Sequence, residues 1–181
     1  MLSSSVAGGL IAAPARAAVP SDNDLAYLRM LVGTELLAAD VQRRAVSSGR
    51  LLAPARTALV RVSADESAHY AGLAQLLTAA GQTPATAGDI DFSYPARAFS
   101  TQASILRLVW AVETLSLGAY LGAVENVQTP QLRLPIGQIA ANEAQHLSTI
   151  APMLGRSTIG HAFAPSLSIA AVTSALDEYE S

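Results

Sequence analysis

Two short segments carry the chemistry of this chain: Asp65-Glu66-Ser67-Ala68-His69 and Asn142-Glu143-Ala144-Gln145-His146. On a helix, residues three apart lie on one face about a turn apart, so Glu66 with His69, and Glu143 with His146, each aim a carboxylate and an imidazole the same way. A further Glu stands upstream of each pair: Glu35 lies 31 residues before Glu66, and Glu113 lies 30 before Glu143. Two Glu-x-x-His pairs and two single inward glutamates make a donor set able to hold a pair of iron or manganese ions inside a helical bundle. With three His in the chain, random placement would put Glu three residues ahead of two of them in roughly half a per cent of sequences. The bland alternative, solvated or capping pairs on polar helix faces, does not account for the matched upstream glutamates.

The repeat extends beyond these donors. Aligning Glu35 with Glu113 sets Leu28-Arg29-Met30 against Leu106-Arg107-Leu108, and aligning Glu66 with Glu143 sets Ala64-Asp65-Glu66 against Ala141-Asn142-Glu143. Two copies at this spacing indicate a duplicated helix pair rather than a solenoid. The expected fold is all-α: a four-helix bundle of two duplicated α-hairpins, with a long crossover and a short C-terminal helix.

Four helices must position the donors. The first is expected over about 21–48, capped by Ser21 or Asp22 and ended by Gly49. Its apolar stripe of Leu25, Leu28, Leu31, Val32, Leu36, Ala39 and Gln42 contains Glu35, and a carboxylate in such a stripe needs a partner or a metal. The second, about 54–80, turns Leu59, Val62, Glu66, His69, Leu73, Leu76 and Leu77 inward. Residues 81–100 are rich in turn formers and read as the crossover, with Phe92, Tyr94 and Phe99 pinning it to the bundle. The third helix, about 101–127, carries Leu106, Val109, Trp110, Glu113, Leu117, Tyr120 and Val124. The fourth is expected after Pro130 and Pro135, reaching about 154 with Ile136, Ile139, Glu143, His146 and Ile150 inward. A terminal helix at about 167–179 is expected to pack on the bundle or on a neighbouring subunit. The resulting division is 1–20, 21–155 for the bundle and 156–181 for a C-terminal extension.

Composition narrows the chemistry. The chain is 51% hydrophobic and 14% charged, with a net charge of -3 and no basic tract, which excludes nucleic acid as the main partner. So apolar a composition expects much burial, part of it in the interface of a homo-oligomer. Cysteine is absent, so thiolate sites and disulfides are excluded, and a metal must be held by carboxylate and imidazole, ligands that suit iron, manganese and zinc. Residues 1–20 are small and apolar, with Ala15-Arg16-Ala17 like a leader cleavage site, and read as a signal-peptide remnant that predicts export to the periplasm, cell envelope or exterior, the alternative being a disordered tail on a cytoplasmic protein. Pro14 and Arg16 break that stretch, so no transmembrane span is expected there.

In the order Glu35, Asp65-Glu66-x-x-His69, Glu113 and Asn142-Glu143-x-x-His146, the chain resembles the ferritin-like superfamily over about 22–154. It is most similar to proteins with the bacterioferritin and rubrerythrin type of site and to exported bacterial ferritin-like domain proteins. The resemblance implies that Glu66 and Glu143 bridge two metals, with Glu35 and His69 completing one coordination sphere and Glu113 and His146 the other. It also implies that Tyr120, two turns beyond Glu113, lies beside the metals as an electron or hydrogen-bond donor; an ordinary core tyrosine is the alternative. Gln42 is its counterpart in the first half. Asp65 and Asn142, four residues before the histidines, are expected to accept the second imidazole N–H of a ligating His. Glu125 is a rival donor that breaks the repeat, and His161 lies outside the motif. These 181 residues hold no Cys-x-x-Cys pair of a rubredoxin-like unit, and Met30 is not placed for a haem ligand. The expected activity is oxidation of Fe(II) by dioxygen or peroxide, protective against oxidative stress. A metal-binding or structural module without turnover and a manganese catalase-like activity are the alternatives.

Overall fold

The computed structural model describes residues 19–181. The leader expected over residues 1–20 therefore lies, except for Val19 and Pro20, outside the described residues. Five α-helices follow in order: α1 (Asp22–Ser47), α2 (Ala53–Ala79), α3 (Gln102–Asn126), α4 (Pro130–Ile150) and α5 (Ile169–Asp177). A 3-10 turn, Ala151–Leu154, extends α4.

The helix ends have local causes. Ser21 caps α1 reciprocally with Asp24, and Thr101 caps α3 with Ser104, each pair satisfying amides that a helix start leaves free. The fourth helix begins earlier than its prolines suggest. Pro130 occupies the first turn, where a missing amide costs nothing, and α4 runs on through Pro135 at the loss of one rung near its start. At the other end Pro152 cannot donate into an α-helical ladder, so the last turn tightens to 3-10 and Gly155 reverses the chain at φ +67°.

α1 packs against α2, and α3 against α4, as two hairpins joined through α1 and α3, whereas α2 and α4 touch sparingly. α1 is consequently buried nearly all round, beyond the single stripe that its periodicity suggests, while α2 buries one face of Ala55, Leu59, Val62, Glu66, His69, Leu73 and Leu77. α5 closes the α1–α3 side with Val172 and Leu176 buried. The chain leading into α5 lies directly on the glycines of α3. Leu167 N–H donates to Gly118 O at 2.9 Å, and a Cβ on Gly122 would fall 1.9 Å from Leu167 O.

The crossover is held from both sides. Tyr94 donates to Asp40 of α1 at 2.8 Å and meets Phe99 edge-on. Phe92 is buried and forms an antiparallel bridge with Glu180, and Ser93 N–H donates to Tyr179 O at 2.7 Å. The C-terminal tail is thus a second anchor for the strap. Among the described residues, α3 alone is long and apolar enough to cross a membrane; in this fold it is a core helix carrying the buried Glu113.

At one end of the bundle, buried Asp24 accepts from Gln128 N–H at 2.6 Å, Thr129 N–H at 3.1 Å and Thr129 Oγ1 at 2.7 Å, tying the start of α1 to the α3–α4 turn. Burial alone would raise its pKa, but these bonds and that from Ser21 hold the carboxyl below its ordinary 3.8. Its stabilisation is therefore present above that pH and lost as pH falls further. Asp24→Ala should cost about 2–3 kcal/mol by stranding buried donors; urea unfolding near neutral pH would measure it, and an unchanged midpoint would show that the tie contributes nothing.

Candidate metal centre

All six sequence-derived donors meet in the middle of the bundle. Glu35 comes from α1, Glu66 and His69 from α2, Glu113 from α3, and Glu143 and His146 from α4; the four carboxylates are fully buried, and the histidines are nearly so. They form two overlapping quartets, Glu35-Glu66-His69-Glu143 and Glu66-Glu113-Glu143-His146, in each of which one donor atom per residue lies within 4.8 Å of the others. Glu66 and Glu143 belong to both. Each histidine turns Nδ1 inward: His69 Nδ1 is 3.0 Å from Glu143 Oε1 and 3.5 Å from Glu66 Oε2, and His146 Nδ1 is 3.0 Å from Glu113 Oε2 and 3.2 Å from Glu66 Oε1.

Bracing runs between the two halves. Tyr120 of α3 donates its hydroxyl to Oε1 of Glu35 on α1, and Gln42 of α1 donates Nε2 to Oε1 of Glu113 on α3 at 2.7 Å. Each single glutamate is therefore gripped by one oxygen, leaving Oε2 facing the cluster. Gln42 is the residue whose part the sequence reading missed. Its signal was its place seven residues after Glu35, the same spacing as Glu113 to Tyr120.

The outer partners are unequal. Asp65 Oδ2 lies 3.3 Å from Nε2 of His146, the histidine of the other hairpin. Asn142, expected to play the same part for His69, makes no comparable bond to it, so the structure supports this role for Asp65 alone. Glu125 is exposed and accepts from Ser166 Oγ at 3.1 Å, and His161 is also exposed, so neither joins the cluster. Trp110 and Tyr70 are partly buried packing residues, Tyr70 donating to Ala85 O.

Do these residues fit metal ions? Both oxygens of Glu66, both of Glu143, Oε2 of Glu35 and Nδ1 of His69 are buried and make no hydrogen bond. Their neighbours are near in distance but off the line of a hydrogen bond. Buried polar atoms are rarely left so, and here the orphaned atoms converge on one volume. A pair of divalent cations would supply partners for them and balance four carboxylates. The donor set, oxygen with imidazole, suits iron, manganese or zinc. A polar cavity of about 370 Å³ lies where α2 and α4 stand apart, lined by Arg61, Asp65, Asn142, Gln145 and His146 among others, and offers a path from solvent to the His146 edge.

Without metal, protons take the cations' place. Burial raises the Glu35 and Glu113 pKa values well above the ordinary carboxylate range, helped by the charge of Glu66. Burial works the other way on the histidines, yet the surrounding carboxylates prevail. Glu143, Glu35 and Glu66 push His69 up to about 12, and Glu113, Glu143 and Glu66 raise His146 as well. Against its own burial, Glu66 is drawn down to about 2 by His146 and His69. The stabilisation from His69 and His146 is full below their ordinary 6.5 and is lost as pH rises through the folded values. Glu35 and Glu113 act in the same direction above their ordinary 4.5. Metal-free protein should thus melt lower at about pH 8 than at about pH 6. Saturating Mn(II) should reverse the sign, since protons compete with the cation for the imidazoles. Thermal scans at both pH values, with chelator and with Mn(II), would check this; the same sign in both would refute it.

A family model described as a ferritin-like domain matches residues 23–156. A comparison with curated proteins finds no match. The match spans all four helices that bring the cluster together and stops just past the 3-10 turn after α4, and the chain belongs to the ferritin-like domain family.

Proposed function

We propose that this protein binds a pair of iron ions at the buried cluster and oxidises Fe(II) with dioxygen or peroxide, protecting its compartment from oxidative stress. The observation that carries the reading is the convergence of orphaned carboxylate oxygens and inward Nδ1 atoms on two overlapping quartets. In this reading Glu66 and Glu143, common to both quartets, would be shared between the two ions. Glu35 with His69 and Glu113 with His146 complete the two ends. Two Fe(II) ions, as substrate, each give one electron to dioxygen, which takes up two protons and leaves as hydrogen peroxide.

The chain's own groups set the conditions for that exchange. Tyr120 and Gln42 fix the single glutamates so that one oxygen of each faces the pair. Asp65, at the solvent side of His146, holds the imidazole with Nδ1 inward. Buried Leu28, Leu31 and Ile136 belong to the apolar core around the cluster and keep bulk water out, which strengthens every charge interaction within. The gap between α2 and α4 admits small polar species. Tyr120 makes the two ends inequivalent: its buried phenol, raised well above its ordinary pKa by burial and by Glu35, remains a protonated donor beside one end only. The leader-like residues 1–20 support an exported setting.

Rapid mixing of anaerobic Fe(II)-loaded protein with oxygenated buffer, read by ferric absorbance, tests the activity. Oxidation should outrun that of the same iron in buffer alone; equal rates would mean that the metals only staple the bundle. Tyr120→Phe should still bind two irons per chain while slowing oxidation by about 10- to 100-fold, the usual cost of losing such a supporting bond. A Tyr120→Phe rate equal to the native one would assign Tyr120 to packing.

A further inference from the structure

Away from the metal centre, residues 155–165 pass over the outer seam between α3 and α4 and enclose a cavity of about 430 Å³, within the ~300–1,000 Å³ usual for small-molecule sites. Leu117, Gly118, Ala144 and Leu147 form its floor. A second trough of about 500 Å³ continues along the same seam to Leu121, Val124 and Gly137, and the two share Leu117, Ala144, His161 and Ala164 as walls. The hydroxyls on the floor are already engaged, Thr114 with Trp110 O at 2.7 Å and Ser148 with Ala144 O at 2.9 Å, so the seam presents mainly carbon.

Two ionisable side chains interrupt the seam, His161 in the shared wall and Arg156 at one end. The Arg156 guanidinium lies 4.8 Å over the ring of Trp110. Among the described residues it has no carboxylate partner, unlike Arg43 and Arg44, which share Asp40. A guanidinium seated over an aromatic face and without a carboxylate partner has N–H donors to offer a planar anion. A long apolar trough ending at such a fork has the polarity of a molecule with one charged head and one hydrocarbon chain.

We propose that this trough binds a single-chain carboxylate amphiphile of the fatty-acid class, with its carboxylate on Arg156 and its chain along the α3–α4 seam. None of the six donors of the metal centre lines it, so the proposal stands or falls separately from the iron chemistry.

Trp110 is the single tryptophan of the chain and reports directly on the site. Titrating purified full-length protein with dodecanoate, below its micelle concentration, should give a saturable change in Trp110 fluorescence. Dodecanol should bind at least tenfold more weakly. Arg156→Gln, which keeps length and removes charge, should weaken dodecanoate at least tenfold, and Ser148→Phe, which fills the cavity from an exposed position, should abolish saturation, with both variants melting cooperatively as folding controls. Isothermal calorimetry of the same variants provides a readout independent of the indole. No saturable response to dodecanoate would overturn the proposal. So would undiminished affinity in Arg156→Gln, equal binding of dodecanol, or a response to anionic phospholipid vesicles without one to dodecanoate.

Discussion

Four carboxylates buried at the centre of an apolar bundle are the constraint on which the rest of this structure depends. Left ionised and unpaired they would repel one another and forfeit their hydration, costs that no helix packing of this size could absorb. The chain answers by placing two imidazoles among them. In the metal-free protein the surrounding carboxylates favour protons on those imidazoles, and burial favours protons on Glu35 and Glu113. In the proposed metal-bound state, cations would replace those protons and the same side chains would serve as ligands. The cluster is therefore built so that cations could take the place of those protons.

The architecture serves that exchange through its duplication. Each hairpin supplies one single glutamate and one Glu-x-x-His pair, but neither half supports its own single glutamate. Tyr120 of the second half holds Glu35 of the first, Gln42 of the first holds Glu113 of the second, and Asp65 of the first meets His146 of the second. The donor geometry is thus a property of the closed bundle and not of either hairpin. The close α1–α3 contact and the sparse α2–α4 contact have a consequence of the same kind: the cluster is sealed on one side and approachable on the other, at Asp65 and Asn142. The tail from Gly155 onward braces the sealed side, with Leu167 seated on Gly118 and Gly122 and the residues beyond Tyr179 pairing with the crossover.

Much of this was legible in the sequence because helical spacing is rigid. Glu-x-x-His presents both side chains on one helix face, and the matched intervals from Glu35 and Glu113 fit two antiparallel hairpins, so the four bundle helices and the six clustered donors could be read from residue positions. What escaped depended on contacts between segments. Gln42 could be matched to Tyr120 by its spacing but not to its bond with Glu113, since that partner lies 71 residues away on another helix. The near-complete burial of α1 followed from its packing against α2, α3 and α5 at once, which a single apolar stripe does not encode. Pro135 suggested a helix boundary because the prior against an internal proline is strong, and packing around Leu132 and Ile136 outweighed one lost rung. Asp65 and Asn142 occupy equivalent positions in the repeat, yet only Asp65 found a histidine. A duplicated sequence fixes where such a residue sits without fixing what it meets.

The most direct measurement is the number of metal ions the cluster takes. Anaerobic titration of Fe(II) into metal-free protein, followed by metal analysis after desalting, should saturate at a pair of ions per chain, and Glu66→Ala, lacking a carboxylate common to both quartets, should lose the pair. Saturation at one ion or none in the native chain, or an undisturbed pair in Glu66→Ala, would contradict the account of a shared two-metal centre.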